Sequence, residues 1–414
     1  MLLTCVDPLL GRIDYNSLSQ QALMEIVVSQ LSEANLVGFK DRDGNFRDIE
    51  DWNGVEINSD NVQRIEWSIP CIEDYKPANQ GTICLEWLPE TVEALNVDDR
   101  GLEGELVCAK LPRHIRVFKA GNNRLTGKID LSDLPAGIEH FGVPQNMLTG
   151  SVDLLCAPES LEFISFFDNK LSGTVRLSPS LEKLTTLYLS SNALTGSIGS
   201  HLMELPRNLE KFNIEDNEFR GVITFSELPD SITEIRVQEN KLEGTVNTSD
   251  FPQALVEIEI IQNSFCGTVD FGNLPHELAA LIFDENRFHG DVDLTSLPTE
   301  MDYFSVEQNA FSGTVDLTRL PNTLRQILLK GNKFVGDIDL SALPDLMEVV
   351  KLNQNSFDGE FIVGKFRPEV EIVIDENMLK KKWTYESTKK FDEGRCRDML
   401  LIQLAEDEKV TSRI

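Results

Sequence analysis

Histidine, cysteine and aromatic side chains are scarce in this chain of 414 residues, which has five His, seven Cys and 7% Phe, Trp and Tyr. The histidines (His114, His140, His201, His276 and His289) are scattered and show no Ser/Asp or Cys partner pattern, which argues against nucleophilic catalysis. Neither a phosphate-binding loop nor a dinucleotide fingerprint occurs. The expectation is therefore a protein that is not an enzyme and carries no cofactor. The cysteines (Cys5, Cys71, Cys84, Cys108, Cys156, Cys266 and Cys396) are odd in number and irregular in spacing, with no CxxC pair. That excludes a full disulfide framework and gives no sign of zinc. Cys71 and Cys84 are spaced to pair near the N-terminus; ordinary thiols are the competing reading. Basic residues are outnumbered, 38 Lys and Arg against 69 Asp and Glu, for a net charge of −31. Nucleic acid is thereby disfavoured as a partner, because phosphate binding needs clustered cations. A protein or peptide of basic character fits the charge better, and solubility alone is the plainer explanation. No apolar run reaches the roughly 18 residues of a membrane span. Met1-Leu-Leu-Thr-Cys-Val6 is too short for a secretory leader. A cytoplasmic monomer is expected, with a secreted or extracellular protein as the alternative if the true start lies upstream.

What the chain does have is an asparagine that returns at fixed intervals. It stands at Asn123, Asn146, Asn169, Asn192, Asn217, Asn240, Asn263, Asn286, Asn309, Asn332, Asn355 and Asn377. The step is 23 residues, except for one of 25 after Asn192 and a last one of 22. Such a period means stacked repeats, each covering the apolar face of the next. In the unit around Asn309, Phe304 and Val306 alternate with Tyr303, Ser305 and Glu307, the period of a short strand. Asn309 is polar among core positions, so its amide needs partners from its own turn and from the adjacent coil. Gly313 allows a close approach, and Val315-Asp316-Leu317 reads as a second extended piece. Leu320-Pro321 opens the next unit, with φ fixed where no ladder donor is needed.

The consensus LPxxLxxLxLxxNxLxGxVDLxx resembles the leucine-rich repeat family over residues 81 to 379. Its Asn-x-Leu-x-Gly half is similar to the plant-type subclass, and its Leu-Pro-x-x-Leu half to the repeats of bacterial effectors. The combined form resembles leucine-rich repeat proteins of protists such as kinetoplastids. The resemblance implies an α/β solenoid, a right-handed superhelix of about 13 coils with a parallel β-sheet on its concave face and a cap at each end. It also implies a non-enzymatic module that recognises a protein or peptide on that face. A secreted or cell-surface recognition protein, binding a receptor, a ligand or a glycan, is the alternative. Effectors with similar repeats carry a separate ubiquitin-ligase domain, for which the residues after the last repeat are too few.

Three segments are expected: an N-terminal cap over 1–80, the solenoid over 81–379, and a C-terminal cap or tail over 380–414. In the first, Leu18 to Leu31 has helical spacing with Ser17 as N-cap, and Asp43-Gly44 and Ser59-Asp60-Asn61 read as hairpin turns. Trp52-Asn-Gly-Val55 resembles the start of plant-type caps, although Ile57 stands where those have a cysteine. In the last segment, Lys380, Lys381, Lys382, Lys389 and Lys390 contrast with the acidic body, and Met399 to Leu404 suits a closing helix.

Candidate binding positions are strand residues on the presumed concave face that vary between coils. Phe163, Phe167 and Tyr188 form one group, against the reading that they pack under the N-terminal segment or cover one another. Ile261, Ile282, Tyr303, Leu328 and Val349 form another, rimmed by Glu257, Glu259, Asp284, Glu285 and Glu307, which suits a basic peptide. Asp130, Asp153, Asp270, Asp293, Asp316 and Asp339 share one repeat position and could hold a cation such as calcium; a turn acceptor is the plainer role. Asp41 to Asn45 looks like a calcium loop, but its Gly is in the wrong place. Asn247-Thr-Ser249 is a glycosylation sequon.

Overall fold

The computed structural model describes residues 15–69, 77–364, 370–375 and 383–385, and the side chains of 199–201 and 383–385 are not among what it describes. Cys5, Cys71, Cys396, Asn377, the lysines Lys380, Lys381, Lys382, Lys389 and Lys390, and the expected closing helix Met399 to Leu404 lie outside the described residues. The chain forms two compact units, Met1–Arg176 and Leu177–Ile414.

The first unit opens with a helix, Gln20–Val28, whose buried residues are Leu23, Met24, Val27 and Val28. Its N-cap is Ser19 rather than Ser17. Ser19 has extended backbone and its hydroxyl accepts from the Ala22 N–H at 3.2 Å, whereas Ser17 ends a preceding 3₁₀ turn. Asp41–Asn45 is a turn bridging Lys40 and Phe46, with Asp41 Oδ1 accepting the N–H groups of Asp43 and Asn45. Phe39, Phe46, Trp52 and Trp67 pack as one aromatic cluster, with ring centroids 4.7–6.4 Å apart. Strands Val55–Asn58 and Asn61–Glu66 form an antiparallel hairpin, turning at Ser59 and Asp60 in left-handed backbone. The second of these strands then starts a parallel ladder through Ala94–Asn96, Val117–Lys119, His140–Gly142 and Phe163–Ser165. The hairpin thus closes what would be an open sheet edge. Arg100 stands one period before Asn123, where an asparagine would fall. Its guanidinium donates to the Trp67 carbonyl and to Asn35 Oδ1, tying the first coil to the N-terminal segment.

The second unit repeats the pattern. Its first ladder runs through Thr186–Tyr188, Lys211–Asn213, Glu234–Arg236, Glu257–Glu259, Ala280–Ile282, Tyr303–Ser305, Gln326–Leu328, Val349–Lys351 and Glu371–Val373, all parallel. A second ladder runs from Ala193–Ser197 to Lys333–Phe334. Its strands are the Asn-x-Leu-x-Gly segments, not the Val-Asp-Leu segments expected to be extended. The aspartate explains the difference: Asp130, Asp153, Asp270 and Asp293 each accept the N–H two residues on and so open a 3₁₀ turn. Asp316 and Asp339 accept in the same way from Thr318 and Ser341. Among these segments Ile338–Leu340 is extended, pairing with Phe361–Val363. The single 25-residue step is absorbed by a six-residue 3₁₀ turn, Gly199–Glu204, where the next coil has three.

Between the ladders lies the core. Phe265, Phe288 and Phe311 stack from coil to coil at 6.0–6.3 Å, and Phe283 and Phe304 are fully buried beside them. Each such ring contributes roughly 2–3 kcal/mol by burial.

Candidate functional site

The asparagines fix the turn that ends each strand of the first ladder. At Asn286, Nδ2 donates to the carbonyls of Phe283 (3.3 Å) and Asp284 (2.9 Å) in its own turn and of Ile260 (2.9 Å) in the preceding coil. Its Oδ1 accepts the Phe265 N–H at 3.1 Å. Asn123, Asn146, Asn169, Asn217, Asn240, Asn263, Asn309, Asn332 and Asn355 also donate to the preceding coil. Each also accepts one of its N–H groups. Asn192 donates to Leu189 and Ser190. The residue before each ladder asparagine is left-handed, including Asp216, Glu239, Gln262, Glu285 and Gln308 at φ near 50°. That conformation is costly for such side chains and persists because the turn is over-determined.

With the turn fixed, alternation sends residues five and three before the asparagine inward, and those six, four and two before it outward. Leu281 and Phe283 are buried in this way, while Ala280, Ile282 and Asp284 face out. The outward residues of the first ladder make the candidate surface.

In the first unit this surface holds Phe163 and Phe167, both half-buried. Phe163 stacks on His140, ring centroids 4.0 Å apart and planes 3° apart. Burial, helped by Lys119, lowers the His140 pKa to about 4, so a neutral ring stacks on Phe163 at neutral pH. Tyr188 belongs to the second unit. It is half-buried, and burial first and Glu234 second hold its phenol above the ordinary range.

Ile261, Ile282 and Tyr303 form a diagonal in the second unit, each one coil further on and two residues earlier in its turn. Leu328 does not extend that line as exposed surface. It is only 7% exposed, set in register between Ser305 and Lys351. Val349 is half-buried opposite Gln326.

Carboxylates surround the diagonal. Arg236 bridges Glu234 (3.1 Å), Glu257 (2.6 Å) and Glu259 (3.7 Å), and Lys211 reaches Glu234 at 3.3 Å. Burial first, then the hydrogen bond shared with Glu257, raises the Glu259 pKa. Asp284 Oδ1 accepts from Ser305 Oγ at 2.6 Å and from the Glu307 N–H at 2.7 Å. Burial outweighs those two bonds and pushes its pKa up to about 7. Tyr303, half-buried and facing Asp284, Glu307 and Glu259, is pushed up to about 12, by burial first. Sequence reasoning missed Arg236, Gln238, Ser305 and His140. Aligning every coil on its asparagine would have set Asp284 and Ser305 on adjacent outward positions, but their burial has no signature in the period.

Among the described residues no group of three or more His, Cys, Asp or Glu side chains could hold a metal ion. No helix among them is long and apolar enough to cross a membrane.

The Leucine Rich Repeat family model matches residues 183–205, one period of the chain. The chain has the fold of a leucine-rich repeat solenoid. Its fold is similar to that of a TDR receptor, with a TM-score of 0.56 and 19% identity over 70% of this chain and 57% of that one. It is also similar to the Arabidopsis receptor kinase HAESA, solved in complex with the peptide hormone IDA and the co-receptor SERK1 (TM-score 0.54, 21% identity, 70% and 56% coverage). The functional domain of InlJ from Listeria monocytogenes, with its cysteine ladder, matches at a TM-score of 0.52 and 17% identity over 73% and 65%. The solenoid thus spans little more than half of those receptor chains. No curated protein matches it. The matched structures give the cytoplasmic expectation no support, and they include the ectodomain of a plant membrane receptor kinase.

Proposed function

We propose that this solenoid is a non-enzymatic recognition module, acting as a monomer outside the cell or at its surface, that binds a protein or peptide along the outward side of its first ladder. One observation carries the reading. The asparagine framework repeats coil after coil, while the outward residues of the first ladder change, and in the second unit they place Ile261, Ile282 and Tyr303, all half-buried, on a regular strand surface. Partly exposed apolar side chains rimmed by polar ones are what recognition surfaces offer. The HAESA match supports the class of ligand, since that receptor is solved with a peptide hormone.

The test is selection of displayed random decapeptides on the immobilised solenoid. Binders selected on the wild type are measured against Ile282→Ser/Tyr303→Ser. They are also measured against Val222→Ser/Val335→Ser, which alters exposed apolar residues in the second ladder and just after its last strand. Binding lost only in the first variant supports the reading. Binding lost only in the second, or in neither, overturns it.

A further inference from the structure

Hydrogen-bond acceptors outnumber donors around the Ile261–Ile282–Tyr303 diagonal. Gln238 is 5% exposed; its Nε2 donates to Glu259 Oε2 at 3.0 Å, and its buried Oε1 has no donor. Asp284 takes both of its donors on Oδ1, and among the described residues Oδ2 receives none. Glu257 and Glu259 share the single guanidinium of Arg236. Gln238, Ile261 and Asp284 occupy the same outward position in three successive coils, so Gln238 and Asp284 flank Ile261, each about 4.8 Å away along the ladder. The Tyr303 ring stands near Asp284 and Glu259, close enough for both charges to act on its phenol. A buried acceptor without a donor is unfavourable, and a buried carboxylate without a cation more so.

Resting on the recognition reading above, we infer that this cluster is the receiving site for an arginine side chain of the bound peptide. The guanidinium is a flat fork of five donors with no acceptor, which complements Gln238 Oε1, Glu259 and Asp284 Oδ2. Its methylene stem can lie on Ile261 and Ile282, and its plane can pack on Tyr303. Lysine has the charge but only a compact head, which cannot reach acceptors on both sides of Ile261 together.

The experiment uses the decapeptides selected above. Each arginine in a binder is replaced in turn by citrulline, which keeps the shape without the charge, and by lysine. At one position, citrulline is expected to weaken binding at least tenfold and lysine at least threefold. Asp284→Asn and Glu259→Gln should each weaken the parent peptide at least fivefold and scarcely affect the citrulline peptide, since the lost interaction is the same. Glu218→Gln, at an exposed pair with Lys241 on the second ladder, should change nothing. Because the citrulline arm leaves the protein intact, a variant that fails to fold cannot decide the result. Binders that tolerate replacement of every arginine yet are lost with Ile282→Ser/Tyr303→Ser overturn the arginine site and leave recognition on this face. Binders indifferent to that variant overturn both.

Discussion

Asn286 and Asp284 stand two residues apart on one turn and live under opposite conditions. The Asn286 amide gives three hydrogen bonds and accepts one, binding its turn to the coil before it. Asp284 is half-buried and faces outward, both its donors crowd onto one oxygen, and desolvation holds its pKa near 7. The row of asparagines is a satisfied interior repeated coil by coil. The outward face beside it is partly desolvated and incompletely matched. The difference teaches where stability and where recognition are placed in this solenoid. Inward groups are consumed by neighbouring coils, and outward groups are free to differ because the turns beneath them do not depend on them.

The hardest test of that division is Asn286→Leu. It strands the Phe265 N–H in a dry interior and takes one donor each from the carbonyls of Phe283, Asp284 and Ile260, which keep Asn309, Gln262 and Asn263 as partners, so the solenoid should lose about 3 kcal/mol. Chemical denaturation measures the loss, and amide exchange should quicken at Phe265 first. A denaturation midpoint equal to that of the wild type would mean the asparagine row is not a buried ladder.

Asp284→Asn probes the other side of the comparison. The Asp284 pKa is raised in the folded state, so its folded form holds a proton that the unfolded chain has released. Stability from this group is therefore complete below about pH 4 and lost as pH rises through about 7. Glu307 and Glu285 face the same carboxylate and add to the repulsion above that range. The variant keeps an acceptor for Ser305 and Glu307 but cannot ionise. Relative to it, the wild type should lose on the order of 2 kcal/mol between pH 4 and 8. Parallel stability curves for the two proteins over that interval would show Asp284 to be well solvated.

Ile282→Ser comes next in size. Ile282 is half-buried and outward, unlike the fully buried Leu281 and Phe283 on either side of it. Serine there should cost less than about 1 kcal/mol, whereas Leu281→Ser should cost roughly 3. Equal losses measured by thermal unfolding would erase the distinction between inward and outward positions.

Much of this was legible in the sequence because the period is strict. The asparagine step predicts the stacked coils, and alternation within Tyr303–Glu307 predicts which side chains point in. Two misreadings have physical causes. Val315-Asp316-Leu317 looks extended, but an aspartate that accepts the N–H two residues on closes the chain into a turn instead. Leu328 looks like exposed surface, but its exposure depends on neighbours one coil away, 23 residues distant in the chain. The same limit hid Gln238 and its grouping with Glu259 and Asp284, two carboxylates that the sequence places only on the rim. Its members are ordinary polar residues in different coils, and only stacking brings them around Ile261.

Asn247→Gln should have the smallest effect on folding and bears on where the solenoid works. Asn247 is exposed, and its Oδ1 accepts from Ser249 Oγ at 2.9 Å, while Thr248 between them is buried. The turn thus presents the Asn247 amide to solvent without involving the core, and its replacement should move stability by less than about 0.5 kcal/mol. If the native protein follows the secretory route, this sequon is open to a glycan. The native wild-type protein should then gain mobility on a denaturing gel after endoglycosidase treatment, and the Gln variant should not. A native protein recovered from the cytoplasm, with no enzyme-sensitive shift, would return the compartment to the cell interior while leaving the recognition face as it stands. Outward residues such as Asn247 and Ile282 can therefore separate where this solenoid acts from what it binds, because neither supports the coils beneath it.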